Sequence, residues 1–310
     1  PDMITPSTWE YMFGTAHEIG TKGSFRVDAI FRQYRDFYAE KRDTTTGRVA
    51  DPGGREFDLG LVVNTNEVER HYKALQGQIQ YRFTPEFTMG GNYTLSQSNG
   101  NFNGETASDG PVTSDVLNYP EYRDKRWNNP VGNLSIDQRH KLRVWGNYSL
   151  RLGGLGRVDL GLLQNVTSGQ PSSRDAAITM LSSYVTNPGY LTPPTTVTYY
   201  FSGRGIDVSD TIVTTDLSVN YALPFKALGP RAEFFFRFVM DNIFNNDAID
   251  GPNGTVLTNA TDSTLQAFNP FTTDPIEGVH YRLGPDFGKA ISASAYQTPR
   301  SFYLSGGFRF

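Results

Sequence analysis

The 310-residue chain contains no cysteine, and this absence excludes disulfide frameworks, Cys-ligated zinc, iron–sulfur clusters and thiol catalysis. The chain also has no large excess of either charge, because 28 basic residues are set against 32 acidic ones. A net charge of −4 without a basic cluster argues against nucleic-acid binding and against polybasic attachment to a lipid surface.

Long apolar runs are missing as well. A membrane-spanning helix needs about 20 apolar residues, whereas the longest apolar stretches, 59–63 and 152–156, are far shorter. The first residues, PDMITPSTWEYMFG, contain neither the basic region nor the apolar core of a signal peptide. We therefore expect no helical membrane span, and a chain that was processed or is a piece of a longer one.

What the sequence does contain is alternation of apolar and polar residues with a period of two, which is typical of β-strands. In the last ten residues, SFYLSGGFRF, the apolar side chains fall on one face and Arg309 on the other. The same pattern predicts nine strands, at 9–19, 24–40, 68–83, 86–98, 139–151, 156–167, 213–224, 231–244 and 300–310.

The length of these strands favours a membrane barrel over a soluble sandwich. Strands of soluble proteins most often have about 5–6 residues, while a membrane-spanning strand needs about 9–11. The predicted strands run to about 11–17 residues, with one apolar face and one charged face. Tyrosine and phenylalanine near several strand ends fit the aromatic girdles of such barrels.

The connections between the strands alternate in length. Short joins at 20–23, 84–85, 152–156 and 224–231 alternate with the long segments 41–67, 99–138, 168–212 and 245–299. Outer-membrane barrels have short periplasmic turns and long extracellular loops. This asymmetry predicts an all-β, antiparallel transmembrane β-barrel of the bacterial outer membrane, crossing it several times, with a periplasmic C-terminus.

Nine is an odd number of strands, whereas bacterial single-chain barrels have an even number. Nine strands also leave two edges whose backbone groups lipid cannot satisfy. We therefore expect the chain to be the C-terminal portion, about nine strands, of a larger barrel. A further strand at 195–203, TTVTYYFSG, would change this count.

Four segments resemble one family of outer-membrane proteins. They are VVNTNEVERHYKALQGQIQYRFTPEFTMGGNYTLSQSNGN (62–101), DQRHKLRVWGNYSL (137–150), RFVMDNIFN (237–245) and FGKAISASAYQTPRSFYLSGGFRF (287–310). Together they are similar to TonB-dependent outer-membrane receptors, and most closely to the Oar-like subset. The resemblance covers most of 60–310 and is patchy in the loops.

The resemblance implies a barrel of about 22 strands filled by a plug and energised through the TonB complex. It implies energised uptake or other handling of a large extracellular substrate, and a carboxypeptidase-regulatory-like domain and a plug upstream of this chain. The expected partners are outer-membrane lipid, the TonB complex, the barrel-assembly machinery and an extracellular ligand or partner protein. The alternative is a structural or adhesive barrel that contacts a surface layer or a partner protein without import.

Three sets of residues stand out as candidate functional groups. The alternating C-terminal strand resembles a recognition signal for barrel assembly, or its apolar residues simply face lipid; they are Phe302, Leu304, Phe308 and Phe310. Charges of mixed sign either face a wet, plugged lumen or pair across strands; they are Arg26, Asp28, Arg32, Asp36, Arg231, Glu233, Arg237 and Asp241. Loop aromatics either capture ligand or pack upon each other as a lid; they are Tyr119, Tyr122, Trp127, Tyr199, Tyr200, Phe268 and Phe271.

Residues for catalysis or metal binding are sparse, so we expect neither an enzyme nor a bound cofactor. The four histidines, His17, His71, His140 and His280, form no HExxH or other i, i+4 pair. Ser135, Asp137 and His140 are close in sequence, but sequence proximity does not make a triad. Loop carboxylates are potential Ca²⁺ ligands without the EF-hand pattern, so solvated turns are favoured; they are Asp43, Asp51, Asp58, Asp247 and Asp250.

Overall fold

The structure, a computed structural model, describes residues 2–45, 47–103, 112–113, 116–186, 188–225, 229 and 232–309. Regular structure within these residues consists of β-strands and a few single-turn 3₁₀ helices. None of the described helices has both the length and the apolar character needed to cross a membrane. Arg231 and Phe310, two of the candidate residues, lie outside the described part of the chain.

Nine strands form one large antiparallel sheet, here called the main sheet, in which each strand pairs with the next one along the chain. A short strand, Gly132–Asn133, pairs with the end of the fourth. The prediction of an all-β fold built on a large antiparallel sheet is confirmed. In order, the nine strands are Ser7–Ile19, Gly23–Arg35, Arg70–Arg82, Phe87–Gly100, His140–Arg151, Arg157–Thr167, Ile212–Pro224, Glu233–Asp241 and Ser301–Arg309.

The register of the main sheet collects the apolar side chains on one face. Leu162, for example, lies in register between Gly146 and Leu217 of the neighbouring strands. Because side chains alternate with a period of two, a slip of one residue in any strand would invert that strand's faces. The inner part of this apolar face includes Phe13, Val27, Phe31, Leu75, Ile79, Met89, Leu95, Val144, Tyr148, Leu160, Leu162, Val219, Phe236, Phe238, Leu304 and Phe308.

The opposite face of the main sheet, the polar face, carries most of the charge. Its small side chains let the neighbouring long ones lie flat, as at Gly14, where an added Cβ would contact the Asp28 carboxylate. The charged residues in this register are Glu10, Glu18, Arg26, Asp28, Arg32, Arg70, Arg82, Lys141, Arg143, Arg151, Arg157, Asp159, Asp216, Glu233, Arg237, Asp241 and Arg309.

One predicted strand is interrupted. The expectation of a single strand over 24–40 is wrong, because Asp36 adopts a left-handed conformation with φ of 61° and ends the strand at Arg35. The Asp36 N–H donates to Asn66 Oδ1 at 3.2 Å, and its carbonyl oxygen accepts from Asn64 Nδ2 at 2.7 Å. These contacts stabilise the bend, and the chain continues as Phe37–Arg42 outside the main sheet.

The described parts of the four long connections contain short strands and turns, and together they form what we call the loop layer (37–45, 47–69, 101–103, 112–113, 116–139, 168–186, 188–211 and 242–300). The extra strand considered at 195–203 exists as Thr196–Tyr200, but it pairs with Asp175–Thr179 and leaves nine strands in the path of the main sheet. The other short strands are Arg48–Ala50, Glu56–Asp58, Gly60–Thr65, Val112–Thr113, Pro171–Ser172, Asp207–Val208, Val256–Thr258 and Tyr281–Leu283.

Candidate functional site

The loop layer has a hydrophobic core of its own. The hairpin formed by Asp175–Thr179 and Thr196–Tyr200 alternates like the main strands, so Ile178, Val197 and Tyr199 are buried on one face. A 3₁₀ turn at Pro120–Tyr122 brings the aromatic rings of a second connection against this hairpin. The buried members of the cluster are Tyr119, Tyr122, Trp127, Ile178, Met180, Val197, Tyr199 and Phe268.

Aromatic contacts join three of the four long connections within this cluster. Trp127 stacks on Tyr199 with ring centroids 5.3 Å apart, and Phe271 meets Trp127 edge-on at 5.5 Å. Phe268 contacts Tyr199 edge-on at 5.2 Å. Such offset and T-shaped pairs each contribute about 0.5–1.5 kcal/mol beyond their buried area. The predicted loop aromatics therefore pack upon each other, with the exception of Tyr200.

Tyr200 points away from the cluster and carries the Arg204 guanidinium over its ring at 4.8 Å. It lines an open groove of about 400 Å³ together with the exposed edges of the aromatic cluster. Polar groups of the same groove include Arg126, Asp274 and Thr273. A groove of this composition offers aromatic surface beside hydrogen-bond donors and acceptors, which is the usual make-up of a ligand site.

The remaining connection is held to the others by polar contacts. Arg42 Nη1 donates to the Tyr119 hydroxyl at 3.0 Å, and its guanidinium lies 5.1 Å from the centre of the Tyr119 ring. The Tyr190 hydroxyl donates to the Arg42 carbonyl at 3.0 Å and contacts Glu121 Oε2 at 2.7 Å. The Asp58 carboxylate accepts the backbone N–H groups of Leu191 and Thr192, both at 3.0 Å. All four long connections thus belong to one layer.

Hydrogen bonds and burial shift the pKa values of three carboxyls in the loop layer. Partial burial of Asp58 opposes ionisation, but the N–H groups of Leu191 and Thr192 stabilise the carboxylate and leave its pKa lowered. The Arg126 side chain donates to Asp124 and lowers the pKa of that carboxyl. Asp175 is more deeply buried, and desolvation raises its pKa despite the nearby Arg204.

Of the predicted lumen charges on the polar face, Arg26 and Asp28 pair with each other, while Arg32 and Glu233 pair with charged residues outside the predicted set. Arg26 donates to both oxygens of Asp28, at 2.7 and 3.0 Å, and Arg309 Nη1 donates to Glu233 Oε1 at 2.8 Å across two strands. Arg32 pairs with Glu10 of the first strand. The Asp241 carboxylate accepts the Ser301 hydroxyl at 3.3 Å, and Arg237 lies in register between Asn220 and Ser305.

Asp36 lies at the strand break rather than within the charge ladder, and its carboxylate accepts the Ser7 hydroxyl at 3.3 Å. The predicted assembly residues Phe302, Leu304 and Phe308 share the apolar face of the last strand. They rank among the most exposed apolar side chains of the chain.

Asp137 and His140, two of the residues considered for catalysis, are bonded to other side chains. Asp137 is buried, and its carboxylate binds Arg139 at 2.8 Å and the Ser98 N–H at 2.8 Å. His140 Nδ1 instead contacts the Tyr93 hydroxyl at 2.7 Å on the apolar face. His280 Nδ1 accepts the Ile276 N–H at 2.9 Å, as in a structural turn.

Loop carboxylates proposed as Ca²⁺ ligands are bonded to protein donors. Asp51 accepts the N–H groups of Gly53 and Arg55, both at 2.9 Å, and Asp43 accepts the Thr45 N–H at 3.0 Å. In the described ranges no three residues among His, Cys, Asp and Glu are grouped so as to hold a metal ion. The interpretation of these residues, and of Asp247 and Asp250, as solvated turns rather than calcium ligands stays a prediction.

Several members of the layer are not evident from sequence reasoning. Ile178 lies in a five-residue strand that is shorter than the main strands, Met180 follows that strand directly, and Arg42 and Asp58 carry no motif. The period-two pattern of 175–179 facing that of 196–200 is the signal from which the hairpin is predictable. The tie between Asp58 and residues 191–192 spans more than 130 residues of chain and leaves no local signature.

No protein-family model matches the sequence, and no curated protein matches it either. Solved structures do match, among them the outer membrane transporter YddB from Escherichia coli. That structure superposes with a TM-score of 0.52 at 11% sequence identity, over 98% of this chain and 32% of the transporter. This chain therefore spans about a third of the length of that protein. The likeness establishes the fold: the main sheet and its connections have the architecture of part of an outer-membrane transporter barrel.

Proposed function

We propose that this chain forms the C-terminal part of a plugged outer-membrane transporter energised through TonB, of the Oar-like kind. The observation that carries the proposal is the separation of the two faces over nine consecutive strands. One face presents apolar side chains without a carboxylate, and the other presents paired charges and amides. A sheet with lipid on one side and water or polar protein on the other has this pattern, and strands as long as the 14 residues of Phe87–Gly100 favour lipid over a second packed sheet.

In this proposal the apolar face contacts lipid and the polar face surrounds a plug. Glutamines at Gln76, Gln78 and Gln80 continue the polar face beside the Arg26–Asp28 pair. A polar plug can hydrogen-bond to such a surface without the desolvation cost that an apolar lumen would impose. The groove beside Tyr200 would be the first contact for a large extracellular ligand, and no enzymatic step is proposed.

The expected topology can be tested by cysteine labelling, because these 310 residues contain no cysteine that would compete with an introduced one in this part of the protein. Gly254 lies in the last long connection and Gly154 in a short turn, and a Cβ at either position would meet open space. We expect an impermeant maleimide to label Gly254→Cys but not Gly154→Cys in the full-length protein on intact cells. Labelling of Gly154→Cys alone would invert the topology and place the C-terminus outside.

The transport claim needs a separate test, because a structural or adhesive barrel would show the same topology. The inward packing of the loop aromatics favours this second candidate, since few of their rings are free to hold a small ligand. Full-length protein from outer membranes should bind the purified periplasmic domain of TonB. Correct membrane topology without any binding to that domain would favour the structural or adhesive barrel.

A further inference from the structure

The apolar face of the main sheet has an uneven distribution of charge. Among the described strands, Arg35 and Lys73 are the only Lys or Arg residues in its register, and no Asp or Glu accompanies them. Both belong to neighbouring strands and lie near the ends that lead into the loop layer. A charge on the lipid side costs about 2–4 kcal/mol at the bilayer centre and about 0–1 near an interface. This position is therefore the one at which such cations are tolerated.

The register fixes the spacing of the two cations. Lys73 faces Phe31, so it is offset from Arg35 by four residues along the neighbouring strand. At about 3.4 Å per residue and 4.8 Å between strands, the two Cα atoms are about 14 Å apart. Gln33 and His71 face each other between them. The four side chains form a basic and polar row along the loop-side margin of the apolar face.

An open groove of about 320 Å³ adjoins this row. Arg35, Gln33, His71 and Asn66 contribute to its walls, together with one carboxylate, Glu69. Arg35 Nη2 donates to Gln33 Oε1 at 2.9 Å, and its guanidinium lies 5.6 Å from the centre of the Trp9 ring. Neither contact neutralises the guanidinium, which distinguishes it from Arg26, Arg32 and Arg309, whose partners are carboxylates.

We infer that the row of Arg35, His71 and Lys73 binds the phosphates of an anionic glycolipid in the outer leaflet. The inference rests on the proposed function, because it needs the apolar face in lipid and the loop layer outside. Lys73 lies opposite Phe31 in the register, and a lysine in such a position can keep its methylene chain on apolar surface while its ammonium reaches the interface. Two long cationic side chains whose Cα atoms are about 14 Å apart suit a headgroup with a phosphate at each end. Gln33 lies between them in the register and supplies neutral hydrogen-bonding groups.

The test measures binding of lipid A, a bisphosphorylated glycolipid, to the full-length protein in neutral detergent by native mass spectrometry. Each Lys or Arg beside an anionic headgroup contributes about 1 kcal/mol, so removing both cations should weaken binding about thirtyfold. Arg35→Gln/Lys73→Gln is the test variant. Arg143→Gln is the matched control, since Arg143 also donates to an amide, Asn165 Oδ1 at 3.0 Å, but on the polar face.

We expect the control to bind lipid A like the wild type, and Glu69→Gln to bind it more tightly. Lipid A stripped of its phosphates should bind the wild type no better than it binds the double variant. Equal lipid A affinity for wild type and double variant, or an equal loss in Arg143→Gln, would overturn the inference. Competition by inorganic phosphate at matched concentration would assign the row to free phosphate instead.

The proposed function is tested separately, by cell fractionation and cysteine labelling of the same variants. If the double variant reaches the outer membrane with wild-type topology and still binds lipid A normally, only the proposed glycolipid site is refuted. If the wild-type protein is recovered in the soluble fraction, the proposal of a membrane barrel is refuted.

Discussion

Leu162 and Leu163 provide a matched test of the two faces, because they are adjacent residues of the same type in the middle of the strand Arg157–Thr167. Leu162 lies between Gly146 and Leu217 on the apolar face, and 49% of its surface is exposed. Leu163 lies between Trp145 and Asp216 on the polar face. Arginine at these two positions is therefore at nearly the same depth, but on the apolar face in one variant and on the polar face in the other.

Leu162→Arg should cost about 2–4 kcal/mol, the usual penalty for arginine on the lipid face near the bilayer centre. That penalty lowers the folding equilibrium constant by roughly 30- to 900-fold. Leu163→Arg places the guanidinium beside the Asp216 carboxylate, so its net effect should stay within about 1 kcal/mol. The change in folding free energy for Leu163→Arg can have either sign, because the new ion pair offsets the lost contact with Trp145.

The measurement is a reversible urea titration of the full-length protein in phosphatidylcholine vesicles, followed by tryptophan fluorescence. The difference in unfolding free energy between the two variants tests the assignment of the faces, since both variants replace a leucine with an arginine. A larger loss for Leu163→Arg than for Leu162→Arg would refute the assignment of the faces, and with it the membrane-barrel proposal.

Three further outcomes follow from the loop layer and the last strand. Trp127→Ala should open the loop layer, since truncation of a buried tryptophan typically costs about 3–5 kcal/mol; hydrogen exchange should rise in 175–200 while the main sheet stays protected. The pKa of Asp58 is lowered in the folded chain, so the stability that this carboxylate contributes is present above its unfolded pKa of 3.8 and is lost as the pH falls through the folded value. Proteolysis around 188–192 should therefore rise below pH 3.8 in the wild type. Asp58→Asn should remove this pH dependence. Deletion of Phe310 should lower the amount of protein in the outer membrane, and unchanged immunoblot levels would remove the assembly role of the C-terminal strand.

The main sheet is predictable from sequence because its strands are long and its two faces differ sharply in polarity. Alternation alone locates Phe234 and Phe236 on one face and Glu233 and Arg237 on the other, and the register agrees. The break at Asp36 is not predictable in this way, since the alternation continues through it. It depends on side-chain contacts from Asn64 and Asn66, which only the folded chain brings into place.

The loop layer is less predictable for a physical reason. Its aromatic residues are visible in the sequence, but whether they face solvent or each other depends on long-range packing. Tyr199 and Tyr200 are neighbours of the same type, yet one is buried against Trp127 and the other lies under Arg204. Alternate residues of the five-residue strand Thr196–Tyr200 face opposite sides, and this decides which tyrosine is buried. The strand itself is recognised only through its pairing with Asp175–Thr179.

The tie between Asp58 and residues 191–192, with the Arg42–Tyr119 contact beside it, has a consequence for any molecule that recognises the surface of the loop layer. An antibody or phage that meets this surface touches residues from distant parts of the chain at the same time. Synthetic peptides copied from a single connection would lack the hairpin partner and the aromatic core that shape it. The epitopes are therefore conformational, and one substitution in a connection can alter recognition of another.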